Sequence, residues 1–176
     1  MYDFNLLFEN YVNEFEAYAK EYTDKLITRP EILGESMKYS LLNGGKRVRP
    51  VLMLACADVL NLPKADVLPF ALALEMIHTY SLVHDDLPAM DNDDFRRGKP
   101  SNHKVYGEAY ALLAGDGLLT AAFERISTWC RAGLYDAEVA IKAVEELSRC
   151  AGSRGMIGGQ VIDLQNEENP DVTLDV

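Results

Sequence analysis

Five aspartates stand within ten residues, at Asp85, Asp86, Asp91, Asp93 and Asp94, and Arg96, Arg97 and Lys99 follow at once. An apolar run that includes Ala71, Leu72, Leu74, Met76 and Ile77 leads into them, so the acids sit where a helix ends. Carboxylates at a helix C-terminus oppose the macrodipole and repel one another. A bound cation removes both conflicts. Hard divalent ions such as Mg2+ take one or two carboxylates and complete their shell with water and phosphate oxygens. Arginines beside them can grip the same phosphates through paired N–H donors. The plain alternative is a solvated acidic turn, which leaves the repulsion uncompensated.

A second cationic group lies upstream, where Asn43-Gly44-Gly45 is followed by Lys46, Arg47, Val48, Arg49 and Pro50. Two glycines beside three cations at the junction of two helices suit a phosphate, with a helix N-terminus close by. Taken alone, a glycine turn with solvated cations explains these residues equally well. His78 and Asp85 are seven residues apart, about 700° of helical rotation, which puts them on one stripe two turns apart. The histidine is therefore read as lining the same cavity as the acids. Gln160 and Asp163 share a helix face at a spacing of three, and Gly155, Gly158 and Gly159 before them let a backbone or ligand come close.

Helices must position these groups, because apolar spacings of three and four dominate and alternating strand patterns are absent. Phe4, Phe8, Tyr11, Phe15, Tyr18, Tyr22 and Leu26 mark a first amphipathic helix. Thr28-Arg29-Pro30-Glu31 reads as a capping box that opens a second helix through Leu41 and Leu42, closed by the glycines. Pro50 is expected to start a third helix through Leu60. A fourth, from about Asp66 to Asp86, is apolar on nearly every face and is expected to be the central, most buried one. Pro88 ends it, and the stretch through Asn102 reads as a loop. Val105 to Ala114 and Leu118 to Trp129 read as two helices divided by Gly115-Asp116-Gly117. Asp136 caps another through Leu147. After Glu167-Glu168-Asn169-Pro170 the chain ends at Val176, which reads as abrupt for a complete fold.

With 176 residues, 48% of them hydrophobic, the chain is expected to be one large domain or part of a bigger one. The net charge of -11 argues against a general nucleic-acid or anionic-membrane partner. Cys56, Cys130 and Cys150 show neither paired nor metal-type spacing, which suits a reducing cytosol. No secretory leader or apolar run of membrane-spanning length is read, so a soluble, cytoplasmic protein is expected.

In this order, Gly44-Gly45-Lys46-Arg47-Val48-Arg49-Pro50, the segment Glu75 to His84, the aspartate-rich stretch through Arg97, Ala114-Gly115-Asp116 and Gly159-Gln160-Val161-Ile162-Asp163 resemble the N-terminal part of short-chain trans-prenyl diphosphate synthases. The likeness is greatest to bacterial farnesyl diphosphate synthases. It implies an all-α helical bundle of the isoprenoid synthase type around a central cavity, here apparently truncated, with residues 1–176 as the N-terminal portion of a single domain. It also implies Mg2+ dependence and a homodimer. The reaction would join isopentenyl diphosphate to an allylic diphosphate, dimethylallyl or geranyl, with the terminal alkene attacking the allylic cation left by departing diphosphate.

The resemblance also implies roles. Asp85 and Asp91 would ligate Mg2+, with Asp86 a weaker candidate, and Arg96 would hold the allylic diphosphate. Lys46, Arg49, His78 and Arg97 would hold isopentenyl diphosphate. Gln160 and Asp163 would face the reacting end. Tyr80, with Ser81 beside it, would limit chain length near fifteen carbons. The family's second aspartate-rich motif and its lysine-threonine pair are not in this sequence, so the chain alone is expected to have little or no synthase activity. Three alternatives remain. A non-catalytic or regulatory subunit of a heteromeric synthase has no need of the intact acidic motif. A His-Asp phosphohydrolase, suggested by His84-Asp85, would require a further upstream histidine. A terpene cyclase would not explain the upstream glycine-lysine-arginine motif.

Overall fold

The computed structural model describes residues 3–26 and 29–167. These divide into two compact units, Met1–Leu134 and Tyr135–Val176. In the first, α1 (Phe4–Asp24) is capped by the Asp3 carboxylate, which accepts from the N–H groups of Asn5 at 3.0 Å and Leu6 at 3.3 Å. Its core stripe is Tyr11, Phe15, Ala19 and Thr23, one per turn. Phe4, at the head of the expected aromatic stripe, is 73% exposed.

Helix α2 (Glu31–Leu41) follows Pro30, which supplies no side-chain cap. Thr28, the first residue of the expected capping box, lies outside the described residues. Gly44 and Gly45 take positive φ of 68° and 112° and turn the chain into α3 (Val48–Val59). That helix starts two residues before the expected Pro50. The proline sits in its first turn, where the missing N–H has no intrahelical partner to lose.

Helix α4 (Lys64–Asp85) is the expected centre: it packs on α1, α2 and α3, and most extensively on α6 (Glu108–Arg131). Leu72, Ala73 and Met76 are fully enclosed. By length and apolar composition α4 could also cross a membrane. Burial accounts for that composition, since a helix covered on most sides is apolar nearly all round.

Two local expectations are corrected. The stretch between Pro88 and Asn102 is not all loop: β1 (Phe95–Arg96) and β2 (Lys99–Pro100) pair antiparallel, with Phe95 opposite Pro100 and Arg96 opposite Lys99. Arg97 and Gly98 connect them with φ of 55° and 78°, the positive values that the tightest hairpin turns require. Nor do Gly115 and Gly117 break a helix, for α6 runs through both as one element of 24 residues. The break falls earlier, at Gly107 (φ 91°), after the short α5 (Asn102–Tyr106). The two glycines are contact positions. A Cβ on Gly115 would lie 2.1 Å from His84 Nε2, and one on Gly117 would lie 2.9 Å from Met37 Sδ. Close packing thus overrides a helix-propensity cost of about 1 kcal/mol per glycine.

The second unit holds α7 (Ala137–Ala151) and α8 (Met156–Asn166). Asp136 caps α7 as expected, its carboxylate accepting from the Glu138 N–H at 2.7 Å. Glu168, Asn169, Pro170 and the chain end at Val176 lie outside the described residues.

Candidate active site

The glycine-rich turn before α3 is held by Arg47. Its φ of 47° turns the side chain inward, where Nε donates to Glu16 Oε1 at 2.6 Å, Nη1 to Glu75 Oε1 at 2.7 Å and Nη2 to the Leu41 carbonyl at 2.7 Å. The guanidinium also lies 5.5 Å from the centre of the Phe15 ring. One buried cation therefore ties α1, α2 and α4 together beneath the turn. Its neighbours Lys46 and Arg49 remain exposed and available to a ligand. Sequence alone placed all three cations in one group. The inward turn of the middle one depends on Glu75, 28 residues away.

The hairpin carries the other cations, and α2 positions it. Asn102 is buried, donating to the Ser36 carbonyl at 3.0 Å and to Ser40 Oγ at 2.7 Å while accepting from Ser36 Oγ at 2.9 Å. Tyr39 donates to the Pro100 carbonyl at 2.8 Å, and Asn43 Nδ2 to the Arg96 carbonyl at 3.2 Å. Arg97 reaches back to donate to the Gly44 carbonyl. Gly45 leaves room for it, because a Cβ there would lie 2.5 Å from Arg97 Cζ. Ser36, Tyr39, Ser40 and Asn102 carried no sequence signal as braces, since each acts across 60 or more residues of chain.

Lys46, Arg49, His78, Arg96 and Arg97 thereby meet around one cleft of about 380 Å³. Burial, and then the positive charge of Arg49 and Arg97, push the His78 pKa down from 6.5 to about 4. The ring is neutral at pH 7 and presents one donor and one acceptor. A depressed histidine pKa means that the unfolded chain takes up the proton first on acidification. The His78 contribution to stability is thus intact above about pH 6.5 and lost as pH falls toward 4. An NMR titration, with His78→Gln as assignment control, is expected to show one imidazole midpoint near 4. Inorganic diphosphate should raise it, because added negative charge favours the imidazolium. A midpoint near 6.5 that ignores diphosphate would remove His78 from the cleft.

The acids separate into two kinds. Asp86 is buried, and its Oδ1 accepts from Arg96 Nε at 2.8 Å and also from Nη2. Burial raises the Asp86 pKa, while Arg96 pulls it down. Asp93 lies 3.3 Å from Arg96 Nη2, and Asp94 pairs with Lys104 at 2.7 Å. Asp85, half-buried, ends α4, and the exposed Asp91 returns to it, its N–H donating to the Asp85 carbonyl at 2.8 Å. Among the described residues no three metal-binding side chains converge on one point. Two hard carboxylates in the turn that leads to Arg96 and Arg97 are nevertheless of the donor type that suits Mg2+, which draws its remaining oxygens from phosphate and water. Asp86 is engaged otherwise, orienting Arg96.

Tyr80 is buried on α4 with its hydroxyl unpartnered, and its ring stands edge-on to His84. Ser81 donates to the His78 carbonyl at 2.9 Å within the same helix. Gln160, half-buried, and Asp163, exposed, lie on α8 in the second unit.

The family model described as polyprenyl synthetase matches residues 30–176. The chain is 53% identical over 160 residues to a farnesyl diphosphate synthase of Bacillus subtilis, covering 91% of this chain and 53% of that protein. It is 51% identical over 150 residues to a chloroplastic geranylgeranyl pyrophosphate synthase of Catharanthus roseus, covering 85% and 42%. A geranyltransferase structure from Legionella pneumophila superposes with a TM-score of 0.93 at 36% identity, covering 97% of this chain and 60% of that one. The chain thus spans about half the length of the curated relatives it matches. Its helices have the all-α isoprenoid synthase fold, and the chain belongs to the polyprenyl synthetase family.

Proposed function

We propose that this chain forms the substrate-binding wall of an Mg2+-dependent prenyl diphosphate synthase that joins isopentenyl diphosphate to dimethylallyl or geranyl diphosphate and releases farnesyl diphosphate. The observation that carries this reading is the meeting of Lys46, Arg49, His78, Arg96 and Arg97 around one cleft, beside the Asp85–Asp91 turn. Lys46, Arg49, His78 and Arg97 hold the diphosphate of the nucleophilic substrate, and Arg96, aimed by Asp86, grips that of the allylic one. Asp85 and Asp91 would hold Mg2+, which when bound offsets the negative charge that grows on the departing diphosphate. The guanidinium groups act in the same sense, since preorganised cations stabilise the leaving charge without reorganising as it forms.

Tyr80 supports the fifteen-carbon product: its ring is buried on α4 five residues before Asp85, where it would bound a growing tail, with Ser81 next to it. The relatives include both farnesyl and geranylgeranyl enzymes by name, so product length rests on this residue. Three free cysteines, two of them exposed, support a reducing cytoplasm. Exposed Tyr110, Leu112 and Leu113 on α6 support a homodimer.

Equilibrium binding of isopentenyl diphosphate tests the central assignment. Arg49→Ala and Arg97→Ala are each expected to weaken it about tenfold, the loss of one charge-assisted contact of ~1.4 kcal/mol. Affinity unchanged in both variants would refute the site. The chain alone is expected to show little or no synthase turnover, and normal turnover would contradict that part.

A further inference from the structure

His84 immediately precedes Asp85, yet its imidazole is committed to another helix. Nε2 lies 3.0 Å from the Leu112 carbonyl oxygen on α6. A carbonyl only accepts, so Nε2 carries the proton and donates. The ring fits because residue 115 has no side chain: a Cβ there would lie 2.1 Å from Nε2 and 2.4 Å from Cδ2. On α4 itself the ring stands edge-on to Tyr80, with centroids 5.7 Å apart at 79°. The turn that follows hangs from this point, Leu87 N–H donating to the His84 carbonyl at 3.1 Å and Asp91 N–H to the Asp85 carbonyl at 2.8 Å.

The last turn of a helix has unpaired carbonyls and frays readily. A carboxylate pair at such an end holds a ligand geometry only if something outside the helix fixes its rotation. We propose that the notch formed by Gly115 and the Leu112 carbonyl, with His84 seated in it, is the positioning device for the Asp85–Asp91 pair. The proposal rests on the reading of that pair as a cation site. It gives Gly115 a physical role: any side chain there expels the imidazole and frees the turn.

The test uses the full chain with Mn2+ and inorganic diphosphate as probes, alongside amide hydrogen exchange at Asp91, which needs no metal. His84→Ala is expected to speed Asp91 exchange about tenfold and to weaken Mn2+ binding by about the same factor, the scale seen when a supporting contact of a ligand residue is lost. Its thermal midpoint should change by only a few degrees. Gly115→Ala is expected to do likewise with the ring still present. The double variant should be no worse than His84→Ala alone, because the two act through one contact. His84→Gln, which can still donate to the Leu112 carbonyl, should recover part of both losses. Unchanged Asp91 exchange and Mn2+ affinity in His84→Ala overturns the notch alone. Absence of Mn2+ binding by the unaltered chain overturns the cation reading, and this proposal with it.

Discussion

Arg47→Met is expected to destabilise the first unit by about 3–5 kcal/mol, the cost of breaking a buried ion pair by removing one partner. Glu75 is 1% exposed and shares Oε1 with Arg47 Nη1, so the variant leaves a carboxylate in the core without its cation. Glu16, on the other arm, has a side chain 33% exposed and can turn to water. The loss is therefore assigned mainly to Glu75. Removing both charges in Arg47→Met/Glu75→Leu should recover most of it, because an apolar pair of similar volume leaves no charge to solvate. Circular dichroism on heating reads the result, with a midpoint about 10 °C or more below the unaltered chain for the single variant. A single variant that melts within about 2 °C of the unaltered chain would show that the clamp contributes little.

Asp85→Asn and Asp91→Asn are expected to have the largest effect on ligand binding. Each keeps the shape of the side chain and removes its charge, so Mg2+-dependent affinity for geranyl diphosphate should fall about 100-fold, or ~2.7 kcal/mol. The part of the affinity that does not depend on Mg2+ should persist, since Arg96 is untouched. Asp94→Asn is the internal control: its carboxylate already pairs with Lys104 at 2.7 Å, and affinity should change less than about twofold. Equal losses in all three variants would reduce the acidic run to a general electrostatic field.

The parts of this site that were legible in the sequence are those set by local rules. The apolar run of α4 announced a buried helix, and five acids at its end announced a charge conflict. Two glycines before Lys46 announced a turn, which Gly44 and Gly45 make with positive φ. What was not legible depends on distant partners. Asp85 and Asp86 are neighbours of one type, and only the hairpin, through Arg96, turns the second into a buried orienting group. Arg47 looked like a ligand for the same reason that Arg49 does, until Glu75 is seen beneath it. Gly115 and Gly117 read as a break because glycine weakens a helix in isolation. They stand inside α6 because His84 and Met37 occupy the space their side chains would take. The hairpin escaped notice because its strands are two residues each, too short for any alternating pattern.

The most direct test of the central claim is a calorimetric titration of this chain with geranyl diphosphate, with Mg2+ present and again with the metal chelated. Saturable binding at one site that is at least about tenfold tighter with Mg2+, a coupling of ~1.4 kcal/mol between metal and ligand, is the expected result. Equal affinity in both titrations would contradict it, leaving the arginines as a simple anion site and Asp85 and Asp91 without a cation to hold.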